Sequence, residues 1–312
     1  MSSNILVSII IPHKNIPNLL ERCVNSIPDR EDIEVIVVDD NSDVFPICLE
    51  KYCGQNNRVK IINTGEGKGA GYARNIGLDE SNGKWIIFAD ADDYFYQSAL
   101  SAILDKYADC TSELIVFDTD SVMSDTLEKV DNRELLVKKY KLSKDKNILR
   151  YEHHAVWGKM FQRKLALEHG IRFQEVIASN DAYFAASYGV LATQVIFEPS
   201  VAYCCTVRNG SICTRITEES TASRLYVSRA VNRLYHENNV QPKYWMNQLG
   251  PLFNMLSVNK RRFIKEMVVY LFYTNILRIF YDICDSGGRF VKRLEGNIND
   301  KEIKSFQIKE KN

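Results

Sequence analysis

The acidic run Asp90, Asp92 and Asp93, in the string DADD, is the sharpest chemical signal in the chain. Carboxylates two positions apart at a strand end can point into one crevice. An all-oxygen donor set suits a hard divalent cation such as Mg²⁺ or Mn²⁺. Alone, the run also fits a solvated turn in which an Asp caps the helix starting near Gln97. Its position separates the two readings. It follows the apolar WIIFA directly, where three like charges call for a cation to offset their repulsion.

Asp39 and Asp40 follow EVIVV in the same way. Their carboxylates can accept hydrogen bonds from a base imide or from ribose hydroxyls. They can equally cap a helix, a task that Asn41, Ser42 and Asp43 also suit. From Gly65, the string GEGKGAGYARN leads into a helix carrying Arg74 and Asn75, and a glycine-rich lead into a helix N-terminus can receive phosphate. A phosphate-binding Walker loop needs Ser or Thr after the GK pair, whereas Gly69 follows Lys68 here. A dinucleotide fingerprint belongs after the first strand, where this chain has PHKN.

Further candidates lie downstream. Trp157, Lys159 and Arg163 occur in HHAVWGKMFQR, and Asn180 and Asp181 in VIASNDAYF. Asp181 opens an apolar helix, where its plain role is to complement the macrodipole. Arg208 can hold a diphosphate bidentately or brace a turn. His153 and His154 have no third ligand at metal spacing.

These residues need elements to hold them. Short apolar runs alternate with helical patterns: LVSIIIP, a helix near Ile16 to Ile27, EVIVVDD, a helix near Phe45 to Tyr52, VKIIN, a helix near Tyr72 to Glu80, and KWIIFAD. Near-continuous Val and Ile runs suit parallel strands buried on both faces. Such a doubly wound sheet binds ligands beyond the carboxyl ends of its strands, where the polar residues collect. LIVFDTD reads as another strand, and Ser121 to Lys146 as a solvated loop and helix. A helix follows near Ala182 to Leu191, then a strand pair near Val195 to Val207, then mostly helix from Glu218.

Composition narrows the possibilities. The 312 residues are 45% hydrophobic, enough for one large α/β domain and an appendage. Forty basic residues balance forty acidic ones, so no overall field gathers nucleic acid. The eight cysteines show no CxxC pair and read as reduced core residues. The N-terminus lacks a basic leader, which with the cysteines favours the cytoplasm. The tract VVYLFYTNILRIFY is interrupted by Asn275 and Arg278 and reads as a half-buried helix rather than a membrane span. From Lys260 onward there are twelve Lys or Arg against seven Asp or Glu, so this aromatic, basic tail is also suited to rest on the inner face of an anionic membrane.

SIIIPHKN, EVIVVDDNSD, GKGAGYARNIGLDESNGKWIIFADADD, the WGK segment and the ND-bearing helix occur in this order. The chain thereby resembles family 2 glycosyltransferases over residues 5 to about 215. The resemblance implies the GT-A fold: α/β, with a Rossmann-like, mostly parallel sheet flanked by helices. It places a glycosyltransferase domain at 1–217, with a nucleotide-binding half of about 1–120 and an acceptor-side half of about 121–217. A helical C-terminal extension with a basic tail, 218–312, completes the chain.

Carried over by position, the resemblance puts Pro12 and Asn15 in the nucleotide pocket and Asp40 on the base. Lys68 and Arg74 become donor-binding side chains. Asp90 approaches the ribose, and Asp92 ligates a Mn²⁺ or Mg²⁺ ion bridging the diphosphate. Trp157 and Lys159 lie on the acceptor side, and Asp181 is the general base. Arg208 and Ser211 match a later RxxGS segment that closes over the donor. The chain departs from the family where an acidic pair is usual and Asn180 precedes Asp181. It departs again at Lys14, where Tyr is common, and at Asp43, where the extra Asp after DDxS is displaced.

The implied activity is inverting transfer of a hexosyl or N-acetylhexosaminyl group. The donor is a nucleoside diphosphate sugar, UDP first among them, and the acceptor a hydroxyl of a saccharide or lipid-linked saccharide, in bacterial surface polysaccharide biosynthesis. Two alternatives stand beside it: a metal-dependent nucleotidyltransferase, and a sugar-nucleotide-binding protein without catalysis.

Overall fold

The computed structural model describes residues 5–43, 59–130, 135–208 and 216–284. The helix expected near Phe45 to Tyr52, Ser211, Cys48, Cys53, Cys213 and the tail beyond Cys284 lie outside the described residues.

Four apolar runs form the parallel half of one sheet: β1 (Val7–His13), β2 (Ile33–Asp39), β3 (Val59–Asn63) and β4 (Trp85–Phe88). β1 pairs in parallel with β2 on one side and with β4 on the other, while β2 continues to β3. Alternate side chains of these strands enter two cores. Ile10, Ile36, Ile86 and Phe88 fill one, and Ile9, Ile11, Val37 and Ile87 the other, so both faces are covered, as a parallel sheet requires. Helix α1 (Pro17–Asn25) packs Leu20 and Cys23 into the second core. Helix α2 (Ala70–Asp79) packs Ala73 and Leu78 into the first. The chain winds from β1 outward through β2 and β3, then returns to place β4 on the other side of β1. That reversal opens a crevice at the carboxyl ends of β1 and β4.

Beyond β4 the sheet becomes mixed, in the order β3-β2-β1-β4-β7-β6-β8-β5. β5 (Tyr94–Phe95) leads into helix α3 (Gln97–Tyr107) and pairs antiparallel with β8 (Val195–Val207). β6 (Leu114–Met123) runs parallel to β8, and β7 (Lys159–Gln162) lies antiparallel between β4 and β6. Helices α4 (Leu135–Ser143), α5 (Arg163–Glu168) and α6 (Asn180–Leu191) complete this half.

The strand pair expected near Val195 to Val207 is one thirteen-residue strand. Its register against β6 shifts between Phe117 and Asp118, where Pro199 and Ser200 bulge out. Proline cannot donate to a ladder, and Ser200 turns its N–H and hydroxyl onto Glu198, so the turn signal marks a bulge inside one strand.

The extension opens with α7 (Glu218–Glu237), where Thr217 and Ser220 form a reciprocal capping pair. Val227, Val231 and Tyr235 of α7 enter the same core as Phe184 of α6, across the boundary expected at 217/218. Then come α8 (Leu249–Val258), α9 (Lys260–Tyr273) and α10, residues 276–284. The tract VVYLFYTNILRIFY breaks at Thr274 and Asn275 into two helices. No described helix is long and apolar enough to cross a membrane. Among the described cysteines none is bridged; Cys23, Cys204 and Cys205 are buried as expected, whereas Cys284 is exposed.

Candidate active site

Three strand ends build the crevice. At the first, Pro12 lies opposite Val38, and His13 is buried. The His13 ring spans the strand ends: Nε2 accepts from the Ile16 N–H at 3.1 Å, which leaves Nδ1 as the donor to Asp39 Oδ1 at 2.7 Å. Asp39 also accepts from the Ser42 N–H and hydroxyl, so its carboxylate shapes the DDNS turn. Asn15 takes a left-handed backbone (φ 57°) and donates Nδ2 to Asp43 Oδ1 at 3.0 Å. His13 ends the first apolar run in the string PHKN, and the parallel register sets it opposite Asp39.

Asp40 accepts the Gly69 N–H on both oxygens, at 3.0 and 2.9 Å, while Lys14 Nζ donates to the Asp40 carbonyl at 3.1 Å. Its carboxylate therefore anchors the loop at the N-terminus of α2. Gly69, at φ 95°, supplies a backbone that side chains rarely adopt. Lys68 is exposed, paired with Glu66 and lying 4.7 Å from the Tyr72 ring, so it engages its own loop and the first turn of α2 rather than the acidic turn.

Arg74 does join the acidic turn. Buried on α2, it donates Nη2 to Asp90 Oδ1 at 2.5 Å and Nη1 to Asn180 Oδ1 at 2.7 Å. Its neighbour Asn75 exchanges two bonds with the Phe173 backbone. The ARN tripeptide thus ties α2 to the segment that leads into α6. Ser179, left-handed at φ 58°, turns the chain into that helix, and Ser223 of α7 bonds both the N–H and the carbonyl of Ala178 behind it.

The carboxylates of Asp90, Asp92 and Asp93 have ligand atoms within 4.8 Å of one another. Their side chains differ in what they face. Asp93 is buried and accepts from the Tyr203 hydroxyl on Oδ2 and from the Thr206 N–H on Oδ1, each at 2.6 Å. Burial first, then Asp90 and Asp92, push its carboxyl well up. Asp90 and Asp92 keep 37% and 21% of their side chains exposed, so these two face the crevice. Burial and the Asp90 charge raise the Asp92 carboxyl, against the pull of Arg208. Arg208 donates Nε to Asp92 Oδ2 at 2.8 Å. The Asp92 carbonyl is itself held by Thr206 Oγ1 at 2.7 Å and by Arg22 of α1.

This donor set fits a hard divalent cation. It offers two part-exposed carboxylates whose oxygen atoms lie close together, with Asp92 raised by burial and then by the neighbouring Asp90 charge, which a cation would relieve. Arg74 Nε is buried with no partner among the described residues.

Asp181 lies in the first turn of α6, next to the Asn180 that Arg74 grips. Burial raises its carboxyl, Asp90 adds to the rise, and Arg74 and Lys159 oppose it. Lys159 at the start of β7 is 2% exposed, donates to the His153 carbonyl, and is lowered to about 7 by burial despite Asp181. Trp157 is buried beneath the acidic turn, its ring 6.0 Å from Tyr203 and nearly parallel at 7°. Tyr203, which sequence reasoning missed, donates to Asp93 and accepts from the Asp90 N–H at 3.0 Å. A Tyr within a long β-strand carries no local sign of such a task.

Residues 8–170 match the family model described as Glycosyl transferase family 2. Glycosyltransferase GlyA of Streptococcus pneumoniae is 25% identical over 229 residues, 68% of this chain and 32% of that protein. The succinoglycan biosynthesis protein ExoO of Rhizobium meliloti is 27% identical over 223 residues, 66% of this chain and 62% of that protein. The chain thus spans less than two thirds of the length of either relative. Among solved structures, residues 1–349 of S. aureus TarS in complex with UDP-GlcNAc superpose with a TM-score of 0.62 at 17% identity, covering 89% of this chain and 79% of that one. At that identity the likeness is one of fold.

Proposed function

The chain belongs to glycosyl transferase family 2, and on that premise we propose that it transfers a sugar from a nucleoside diphosphate, UDP first among them, to an acceptor hydroxyl with inversion. The observation that carries this reading is the Arg74 fork, which ties Asp90 of the acidic turn to the first turn of the helix bearing Asp181. A donor diphosphate at the turn and an acceptor at Asp181 then share one crevice.

Asp181 takes the proton of the acceptor hydroxyl as that oxygen bonds to the anomeric carbon. The bond from that carbon to the β-phosphate oxygen breaks, and the electron pair leaves with the nucleoside diphosphate. A divalent cation bound at Asp92, Mn²⁺ or Mg²⁺, would supply Lewis-acid stabilisation to the departing diphosphate. Arg74 and Arg208 add fixed positive charge where negative charge develops. Asp90 accepts from the ribose; Pro12, Asn15 and Asp40 hold the base side, with Lys68 and Ser211 on the donor. Lys159, electrostatically coupled to Asp181, serves the acceptor side, and Trp157 supports the acidic turn through Tyr203. The acceptor we favour is a saccharide, free or lipid-linked, of a bacterial surface polysaccharide.

A panel of nucleoside diphosphate sugars, each incubated with the protein and Mn²⁺ or Mg²⁺, tests this by release of the nucleoside diphosphate. Release from a UDP-sugar is expected. Pyrophosphate from a nucleoside triphosphate, with no diphosphate from any sugar donor, would turn the reading to nucleotidyl transfer.

A further inference from the structure

Helix α10 is built with its polarity reversed. Its inner face carries an ion pair: Arg278 donates Nε to Asp282 Oδ1 at 2.8 Å, and Asp282 accepts the Tyr270 hydroxyl at 2.9 Å. Its outer face carries Ile276, Leu277, Phe280 and Ile283, exposed to 80%, 57%, 62% and 58%. Helix α9 continues this surface. Phe263, Met267 and Tyr270 pack inward, while Ile264, Val268 and Leu271 form an outer stripe at helical spacing. Phe272 and Tyr273, 80% and 85% exposed, join the two stripes across the bend. A helix facing water puts its charges outside; here they are hidden and the apolar side chains are presented.

Along the hairpin itself, the exposed charges without an ion-pair partner share one sign. From Asn259 to Cys284 the exposed charged side chains are Lys260, Arg261 and Lys265, which have no ion-pair partner among the described residues. The acids of the same stretch are engaged, Glu266 with Arg229 and Arg262, and Asp282 with Arg278. Arg261 and Lys265 flank Ile264 on the same side of the helix. Beside Phe272 and Tyr273, a cavity of about 620 Å³ opens between the hairpin and α7, lined by Arg229, Arg233 and His236. Arg233 has no acidic partner among the described residues.

We propose that the α9–α10 hairpin docks on an anionic lipid bilayer, its apolar face seated at the headgroup boundary with Lys260, Arg261 and Lys265 against lipid phosphates, and the Arg233 cavity taking one headgroup. The charge pattern selects this occupant. A second copy meeting this face about a two-fold axis would set cations against cations, whereas an anionic surface complements both the stripe and its rim. The inference is independent of sugar transfer, because it is read without a donor.

The test is co-sedimentation of the full chain with vesicles of phosphatidylcholine alone and with a third phosphatidylglycerol. The expected result is pelleting with the anionic vesicles at low salt, roughly tenfold above the neutral ones, and partial release at high salt. The double variant Ile276→Asn, Phe280→Asn and the triple variant Lys260→Glu, Arg261→Glu, Lys265→Glu should each lose binding while keeping melting temperature and donor hydrolysis. No pelleting at low salt, or undiminished pelleting of both variants, overturns the proposal. So does a concentration-dependent dimer that the double variant abolishes, if vesicles are not bound; that result assigns the face to a second copy.

Discussion

Arg74 donates to Asp90 at 2.5 Å while its other terminal nitrogen holds Asn180 at 2.7 Å, so one planar fork spans the acidic turn and the start of α6. Lysine keeps the charge but cannot make both bonds at once. Arg74→Lys should lower kcat by about one to two orders of magnitude and cost about 1.5–3 kcal/mol of stability, the worth of one lost hydrogen bond from a charged donor. Urea unfolding and steady-state kinetics on the same preparation read the two effects. Wild-type values in both would remove the fork from the argument.

Asp92 faces the crevice with its carboxyl raised by burial and by Asp90. Asp92→Asn should reduce turnover by about a hundredfold or more and abolish the thermal stabilisation expected for the wild type with UDP and Mn²⁺. Chelation of the wild type should give the same loss of stabilisation. A variant still stabilised by UDP only when Mn²⁺ is present would move the cation to other ligands.

The proposed base Asp181 has to be ionised to take a proton, and burial raises its folded pKa. The acid limb of kcat should therefore lie above the ordinary aspartate value of about 3.9. Asp181→Asn should remove turnover with donor affinity nearly unchanged. With the folded pKa raised, wild type binds its proton more tightly when folded. Its deficit relative to Asp181→Asn is present above the folded pKa and closes as pH falls. Full turnover in the variant contradicts the assignment.

Lys159 carries the opposite shift, down to about 7 through burial. The folded form holds its proton less tightly than the unfolded chain, so stability from this residue rises with pH from about 7 toward the unfolded lysine value of about 10.4. Melting curves over that range should slope upward more steeply for wild type than for Lys159→Met. Parallel curves would mean that Lys159 stays charged in the fold.

Tyr203→Phe removes the hydroxyl that joins Asp93 to the Asp90 N–H. A loss of about 1–3 kcal/mol is expected, because two buried partners are left unmatched. The apparent affinity for Mn²⁺ should also weaken, since the acidic turn is no longer braced. Thermal melts with and without the ion separate the two effects.

Much of this was readable from local pattern. Continuous Val and Ile runs mark strands covered on both faces, and acidic residues ending such runs mark the crevice, because burial and turn chemistry act on neighbours in the chain. Asp90 and Asp92 are legible on that basis. Pro199 misled for a related reason: a proline flanked by polar residues looks like a turn whether it joins two strands or bulges within one.

What the chain alone determined is the sheet, the order of its motifs and the acidic turn at the end of β4. Tertiary structure decided which partner each charge meets: Arg74 across to Asn180, Arg208 onto Asp92, Asp93 turned inward to Tyr203, and Asp40 held on Gly69. It also decided that α10 hides its ion pair and shows its apolar side. Hydrophobic spacing reports that a face is apolar, whereas which way that face turns depends on contacts made by residues distant in sequence.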